Sequence, residues 1–266
     1  MEVIILSSPE AVSQMGGRIL AHQIARCPAS VLGLATGQTM VGVYRYLVEQ
    51  HCQRGLDFSA LHSFNLDEYV GLGPSHPCSY HSYMAQQLFN HINIERENTH
   101  IPDGLCSDVM AHCREYEQAI TAAGGIDLQL LGLGDDGHIG FNEPSSSLSS
   151  RMRIKTLTPM TRRVNRREFP PGESTPLHVL TLGVANIMEA RHCLLLAFGA
   201  NKAPAVQTMV EGPINAMCPA SVLQQHPHCT LVIDEAAGAF LQLADYFRFV
   251  YEHKPAWQRA LLEGSP

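Results

Sequence analysis

The sequence predicts an α/β fold: a single doubly wound, Rossmann-like domain with a mainly parallel central sheet and helices on both faces. Short apolar runs alternate with segments of helical period from one end of the chain to the other. Neither a Pro/Ser-rich linker nor an internal repeat interrupts them, so residues 1–266 read as one domain. Several apolar runs empty into loops of glycine, hydroxyl and carboxylate residues, and open α/β sheets bind ligands outside the carboxyl ends of their strands.

Residues 3–6 form the first apolar run. Ser8-Pro9-Glu10 then offers a cap with Pro at the first helical position. A helix to about residue 26 puts Val12, Met15, Ile19 and Ile24 on its buried side. Residues 31–35 are the second strand. Thr36-Gly37-Gln38-Thr39 turns from it into a helix over about 40–53, and such a turn offers an anion free backbone N–H groups and hydroxyls. Neither a Walker loop nor Gly-x-Gly-x-x-Gly is found there. Residues 61–66 give the third strand, which runs into Asp67-Glu68-Tyr69. Ser79 starts a helix through Tyr83, Leu88 and Phe89, residues 99–101 suit a short edge strand, and 108–123 read as a helix.

The central strand, 128–133, breaks at Gly132 and Gly134 into a loop carrying Asp135, Asp136, His138 and Glu143. A histidine titrates near neutrality, and carboxylates beside it can orient it or raise its pKa, so the chemistry on offer is proton transfer. Residues 153–157 suit a strand. Residues 158–175 are polar and rich in Arg and Pro, and the segment from about 153 to 175 is expected to act as a lid. Strands are expected at 177–184, 192–198 and 229–233, with helices at 201–211 and 236–252. Lys202 opens the first of those helices directly after a strand, where a cation can meet a bound phosphate. The tail from residue 257 is expected to cap a surface or a subunit contact.

Composition narrows the function. A hydrophobic share of 45% with 16% charged residues fits a globular enzyme, and a formal net charge of -7 argues against a nucleic-acid partner. No apolar stretch is long enough for a membrane span, and the N-terminal run lacks the basic start and long apolar core of a signal peptide. The 8 cysteines are scattered without a Cys-x-x-Cys pair. A cytoplasmic location is expected.

Three stretches carry a family resemblance: residues 34–39 (Leu-Ala-Thr-Gly-Gln-Thr), 64–72 (Phe-Asn-Leu-Asp-Glu-Tyr-Val-Gly-Leu) and 134–144 (Gly-Asp-Asp-Gly-His-Ile-Gly-Phe-Asn-Glu-Pro). In this order they resemble the glucosamine-6-phosphate deaminase family, and the likeness covers almost the whole chain. It implies conversion of glucosamine 6-phosphate and water to fructose 6-phosphate and ammonia, without metal or other cofactor, in amino-sugar catabolism. By resemblance, Asp67 moves the proton between C2 and C1, while His138, with Asp136 and Glu143, opens the sugar ring. The phosphate is expected on Thr36, Gly37, Gln38 and Thr39, with Arg167 and Lys202 closing over it. Family members activated by N-acetylglucosamine 6-phosphate bind it between subunits of a homohexamer. Counterparts for that site stand at Ser146, Arg153, Lys155, Thr156 and Tyr246. Met40 and Asp135 depart from the family pattern, where Pro and Asn are common. A galactosamine-6-phosphate deaminase, a 6-phosphogluconolactonase and a non-catalytic sugar-phosphate sensor are the alternatives on the same scaffold.

Overall fold

In the computed structural model, which describes residues 1–263, the strands are β1 (Glu2–Leu6), β2 (Val31–Leu34), β3 (His62–Asn65), β4 (Asp67–Tyr69), β5 (Thr99–His100), β6 (Leu128–Gly132), β7 (Arg153–Thr156), β8 (His178–Thr181), β9 (Cys193–Ala197) and β10 (Cys229–Asp234). The helices are α1 (Pro9–Arg26), α2 (Gln38–Arg54), α3 (Tyr80–Gln87), α4 (Val109–Ala122), α5 (Pro159–Asn165), α6 (Val184–Met188), α7 (Ala203–Glu211), α8 (Ala244–Glu252) and α9 (Ala256–Glu263). Seven strands form one parallel sheet in the order β1-β10-β9-β6-β2-β3-β5. From β2 the chain moves outward through β3 to β5, then returns to the other side of β2 at β6. The winding therefore reverses between β2 and β6, where doubly wound sheets open a ligand crevice.

The apolar runs are buried as expected for strands covered on both faces: β2, β9 and β10 have no exposed residue. Helix α1 buries Val12, Met15, Ile19, Leu20 and Ile24, the stripe its spacing predicts, and Ser8 caps it by accepting the Ala11 N–H at 3.2 Å. It packs on α2, β9 and β10, while α8 packs on β1. Among the described residues no helix is long and apolar enough to cross a membrane.

Three differences from the sequence expectations stand out. A second, antiparallel sheet, β4-β8-β7, lies beside the parallel one. Its strands are three or four residues long, too short for a period-2 pattern to reveal. Leu66 joins the sheets, its N–H on the Leu34 carbonyl at 3.1 Å and its own carbonyl accepting Leu182 N–H at 2.8 Å. Asp67 therefore begins a strand instead of a loop. The helix expected over 236–252 starts only at Ala244, because the Asp234 carboxylate binds the Ala237 N–H at 2.8 Å and the Gly199 N–H at 3.0 Å and holds turns in front of it. The third difference is an early start: α2 begins at Gln38, inside the turn assigned to an anion.

Candidate active site

A cavity of about 390 Å³ opens at the carboxyl ends of β2 and β6. The 36–39 turn, Asp67, the 132–141 loop, one side of α5 and the pair Asn201 and Lys202 line it. Three separate sequence features thus converge on the point where the sheet reverses.

The turn after β2 requires glycine. Gly37 has φ 102°, in the left-handed region that other residues avoid. Its carbonyl accepts Met40 N–H at 3.0 Å and the Tyr83 hydroxyl at 2.7 Å, which pins the turn from two sides. The N–H groups of Gln38 and Thr39, at the start of α2, remain available to an anion. Met40 is fully buried beneath the turn, so this departure from the family pattern serves packing.

Asp67 is 5% exposed. Burial, reinforced by the neighbouring Glu68 carboxylate, pushes its carboxyl well above the usual range. Glu68 is fully buried and accepts the N–H groups of Tyr69, Tyr80 and His81 at 2.8–3.1 Å, and His81 Nδ1 lies 2.9 Å away. That carboxylate fixes the start of α3 and with it the strand that carries Asp67. Around it Tyr69, Tyr80, Phe141 and Phe169 form a buried aromatic cluster, with Tyr80 and Phe141 stacked at 6.3 Å. The 132–141 loop approaches closely: a Cβ on Gly140 would lie 3.6 Å from Asp67 Oδ2.

His138 and Asp136 form a pair. Nδ1 lies 2.6 Å from Asp136 Oδ1, and the His138 backbone N–H meets the same oxygen at 3.2 Å. An Nδ1–H donated to the carboxylate leaves Nε2 as the acceptor of the ring. Burial works against the charge on Asp136, but the hydrogen bonds and charge of His138 outweigh it and its pKa is lowered. The loop is tight: Gly134 N–H binds the His138 carbonyl at 2.9 Å, and a Cβ on Gly134 would come within 2.2 Å of the imidazole.

The remaining expectations divide. Lys202 lines the cavity, its Nζ 2.5 Å from Asp135 Oδ1. Glu143 is buried outside the cavity wall, and its Oε1 accepts the Thr158 N–H at 3.3 Å instead of meeting His138. Arg167 is exposed and does not line the cavity; it follows α5 in a one-turn helix whose Arg166 folds back onto the Phe169 carbonyl at 2.8 Å. The part of the 153–175 segment that reaches the cavity is α5, through Met160, Thr161, Val164 and Asn165. Sequence reasoning missed these four, although Thr158-Pro159, a cap followed by Pro, marks the helix that presents them. It also missed Tyr80, Phe141 and Asn201 as wall residues. Arg153, Lys155 and Thr156 lie on β7, and Ser146 is buried with its hydroxyl unpaired. Tyr246 is 60% exposed on α8 and lines a different cavity, against β1. Ser146, Arg153, Lys155 and Thr156 are not among the residues that line the Tyr246 cavity.

The model of the family described as glucosamine-6-phosphate isomerases/6-phosphogluconolactonase matches residues 8–232. A glucosamine-6-phosphate deaminase of Arthrobacter sp. (strain FB24) is 53% identical over 258 residues, covering 97% of this chain and 99% of its own. One from Hahella chejuensis (strain KCTC 2396) is 51% identical over 98% of this chain and 100% of its own. Among solved structures, a monomeric glucosamine-6-phosphate deaminase superposes with a TM-score of 0.88 at 43% identity, covering 90% of this chain and 99% of that one. The 6-phosphogluconolactonase of Trypanosoma cruzi reaches 0.74 at 21% identity, over 91% of this chain and 97% of its own, a likeness of fold.

Proposed function

The chain belongs to the glucosamine-6-phosphate isomerase/6-phosphogluconolactonase family, and we propose that it is a glucosamine-6-phosphate deaminase. The observation that carries this is the meeting of Asp67, the His138–Asp136 pair and the Thr36–Thr39 anion turn on one cavity. A lactone hydrolase has no use for a carrier of a carbon-bound proton, whereas deamination through an aldose–ketose isomerisation needs one.

The division of labour follows from the two environments. His138 Nε2 moves the proton that opens the pyranose ring, with Asp136 holding the tautomer and stabilising the imidazolium. Asp67, once ionised, is a stronger base than an ordinary carboxylate because burial disfavours its charge, and it carries the proton from C2 to C1. Water then replaces the amine at C2, giving fructose 6-phosphate and ammonia. Thr36, Gly37, Gln38 and Thr39 hold the phosphate at the start of α2, and Lys202 supplies a point charge. Arg167 joins them only when the segment after α5 moves inward. Glu143 acts through the lid, since its carboxylate holds the N–H of Thr158, the cap of α5. The cytoplasm and the catabolism of N-acetylglucosamine are the setting proposed for the reaction.

Activation by N-acetylglucosamine 6-phosphate in a homohexamer is a separate part of the proposal. It is supported by Arg153 and Lys155, two residues apart on β7 and so on one face of the sheet. Ser146, Thr156 and Tyr246 complete the proposed effector site. Ammonia release from glucosamine 6-phosphate, measured with and without the acetylated sugar, tests both parts. Sigmoidal release made hyperbolic by the effector is the expected result; hyperbolic release by a monomer in both cases removes the regulation and leaves the enzyme. No ammonia from folded protein removes the deaminase.

A further inference from the structure

Asp67, Asp135 and Asp136 line the cavity, and among its described lining residues Lys202 is the one lysine or arginine. That cation is already engaged. Its Nζ lies 2.5 Å from Asp135 Oδ1, and the same oxygen accepts Asn201 Nδ2 at 3.0 Å. Asp136 belongs to His138, and Asp67 lies buried in the wall at the start of β4. Asp135 therefore stands apart from the proton-transfer groups and faces the cation that a phosphate would use.

We propose that Asp135 sets the affinity of the site for phosphate: it positions Lys202 and at the same time neutralises it, so a bound phosphate has to take the lysine from the carboxylate. The inference rests on Lys202 being the phosphate cation of the proposed function. Its two effects separate chemically. An asparagine at this position keeps an oxygen that can accept from Lys202 and Asn201, so the lysine stays in place, but it no longer cancels the lysine's charge or repels an anion carrying close to two negative charges. Both side chains keep some access to solvent, 18% and 30% exposed, and Lys202 and Asp135 both line the cavity, so a ligand there can reach the pair.

Inorganic phosphate is the probe, bound to the full-length protein and followed by calorimetry, in the wild type and in Asp135→Asn, Asp135→Ser and Lys202→Gln. Asp135→Asn is expected to bind phosphate about tenfold more tightly, a gain that shrinks with added salt. The glucosamine 6-phosphate KM should fall in the same variant by more than the turnover at saturation changes. Lys202→Gln should weaken phosphate binding. Asp135→Ser, which also removes the charge, serves if the asparagine variant does not fold. Unchanged or weaker phosphate binding on loss of the carboxylate overturns the proposal, as does a Lys202→Gln protein that binds phosphate like the wild type. Because phosphate binding is read without turnover, tighter binding in a protein that releases no ammonia would sink the deaminase reading and leave Asp135 in its role.

Discussion

Asp67 and Asp136 show how position gives two carboxylates different work. Burial and the Glu68 carboxylate raise the pKa of Asp67, whereas the hydrogen bonds and charge of His138 lower that of Asp136. The first has a consequence for stability. A carboxyl whose folded pKa lies above its unfolded value contributes stability that is complete below the unfolded pKa, about 4, and is lost as pH rises through the folded value. Asparagine carries no charge to desolvate. Asp67→Asn should therefore melt higher than the wild type at pH 7, by about 2–4 °C for each kcal/mol recovered, and the difference should vanish towards pH 4. A pair of melting curves at the two pH values decides this. Asp136→Asn loses the anion that supports an imidazolium, and turnover should drop by about a hundredfold or more while phosphate binding persists. Turnover within a factor of about two of wild type would show that the pair is not part of ring opening. Asp136 and His138 were visible in the sequence because they follow a buried strand within one loop, and Asp67 because it follows the carboxyl end of another apolar run. The pairing of Asp135 with Lys202 was not, since they are 67 residues apart and meet only through the sheet.

At the scale of elements, the turn at 36–39 and the loop carrying Asp136 and His138 were legible, because each follows a strand that the apolar runs mark. The segment at 158–175, proposed as a lid, was legible as a polar stretch, but its helix was not. Helix α5 has seven residues, too few to be stable by propensity, and it depends on the Thr158 cap, whose Oγ1 accepts Thr161 N–H at 3.2 Å, and on Glu143. Thr158→Ala should cost about 1 kcal/mol locally and fray α5. Amide exchange over residues 159–165 should quicken and KM should rise, with global melting almost unmoved. Exchange as slow as in the wild type would mean that packing, not the cap, holds α5. Strand β4 was the element hardest to foresee. Its three residues have no readable period, and only their pairing with β8 makes them a strand.

The whole molecule makes its site by topology. Parallel strands bring the ends of β2 and β6 side by side where the winding reverses, and the small antiparallel sheet carries Asp67 to the same place. The alternation of apolar runs and helical segments was enough to foresee the parallel sheet. The antiparallel sheet depends on pairings across more than a hundred residues, between β4 and β8, that no local pattern encodes. Deamination at this cavity is tested most directly by comparing ammonia release from glucosamine 6-phosphate by the wild type and by Asp67→Asn, alongside phosphate binding by both. The wild type should release ammonia, and the variant should bind phosphate normally and turn over about a thousandfold more slowly. Equal release by the two proteins would contradict Asp67 as the proton carrier, and no release by the folded wild type would contradict the deaminase itself.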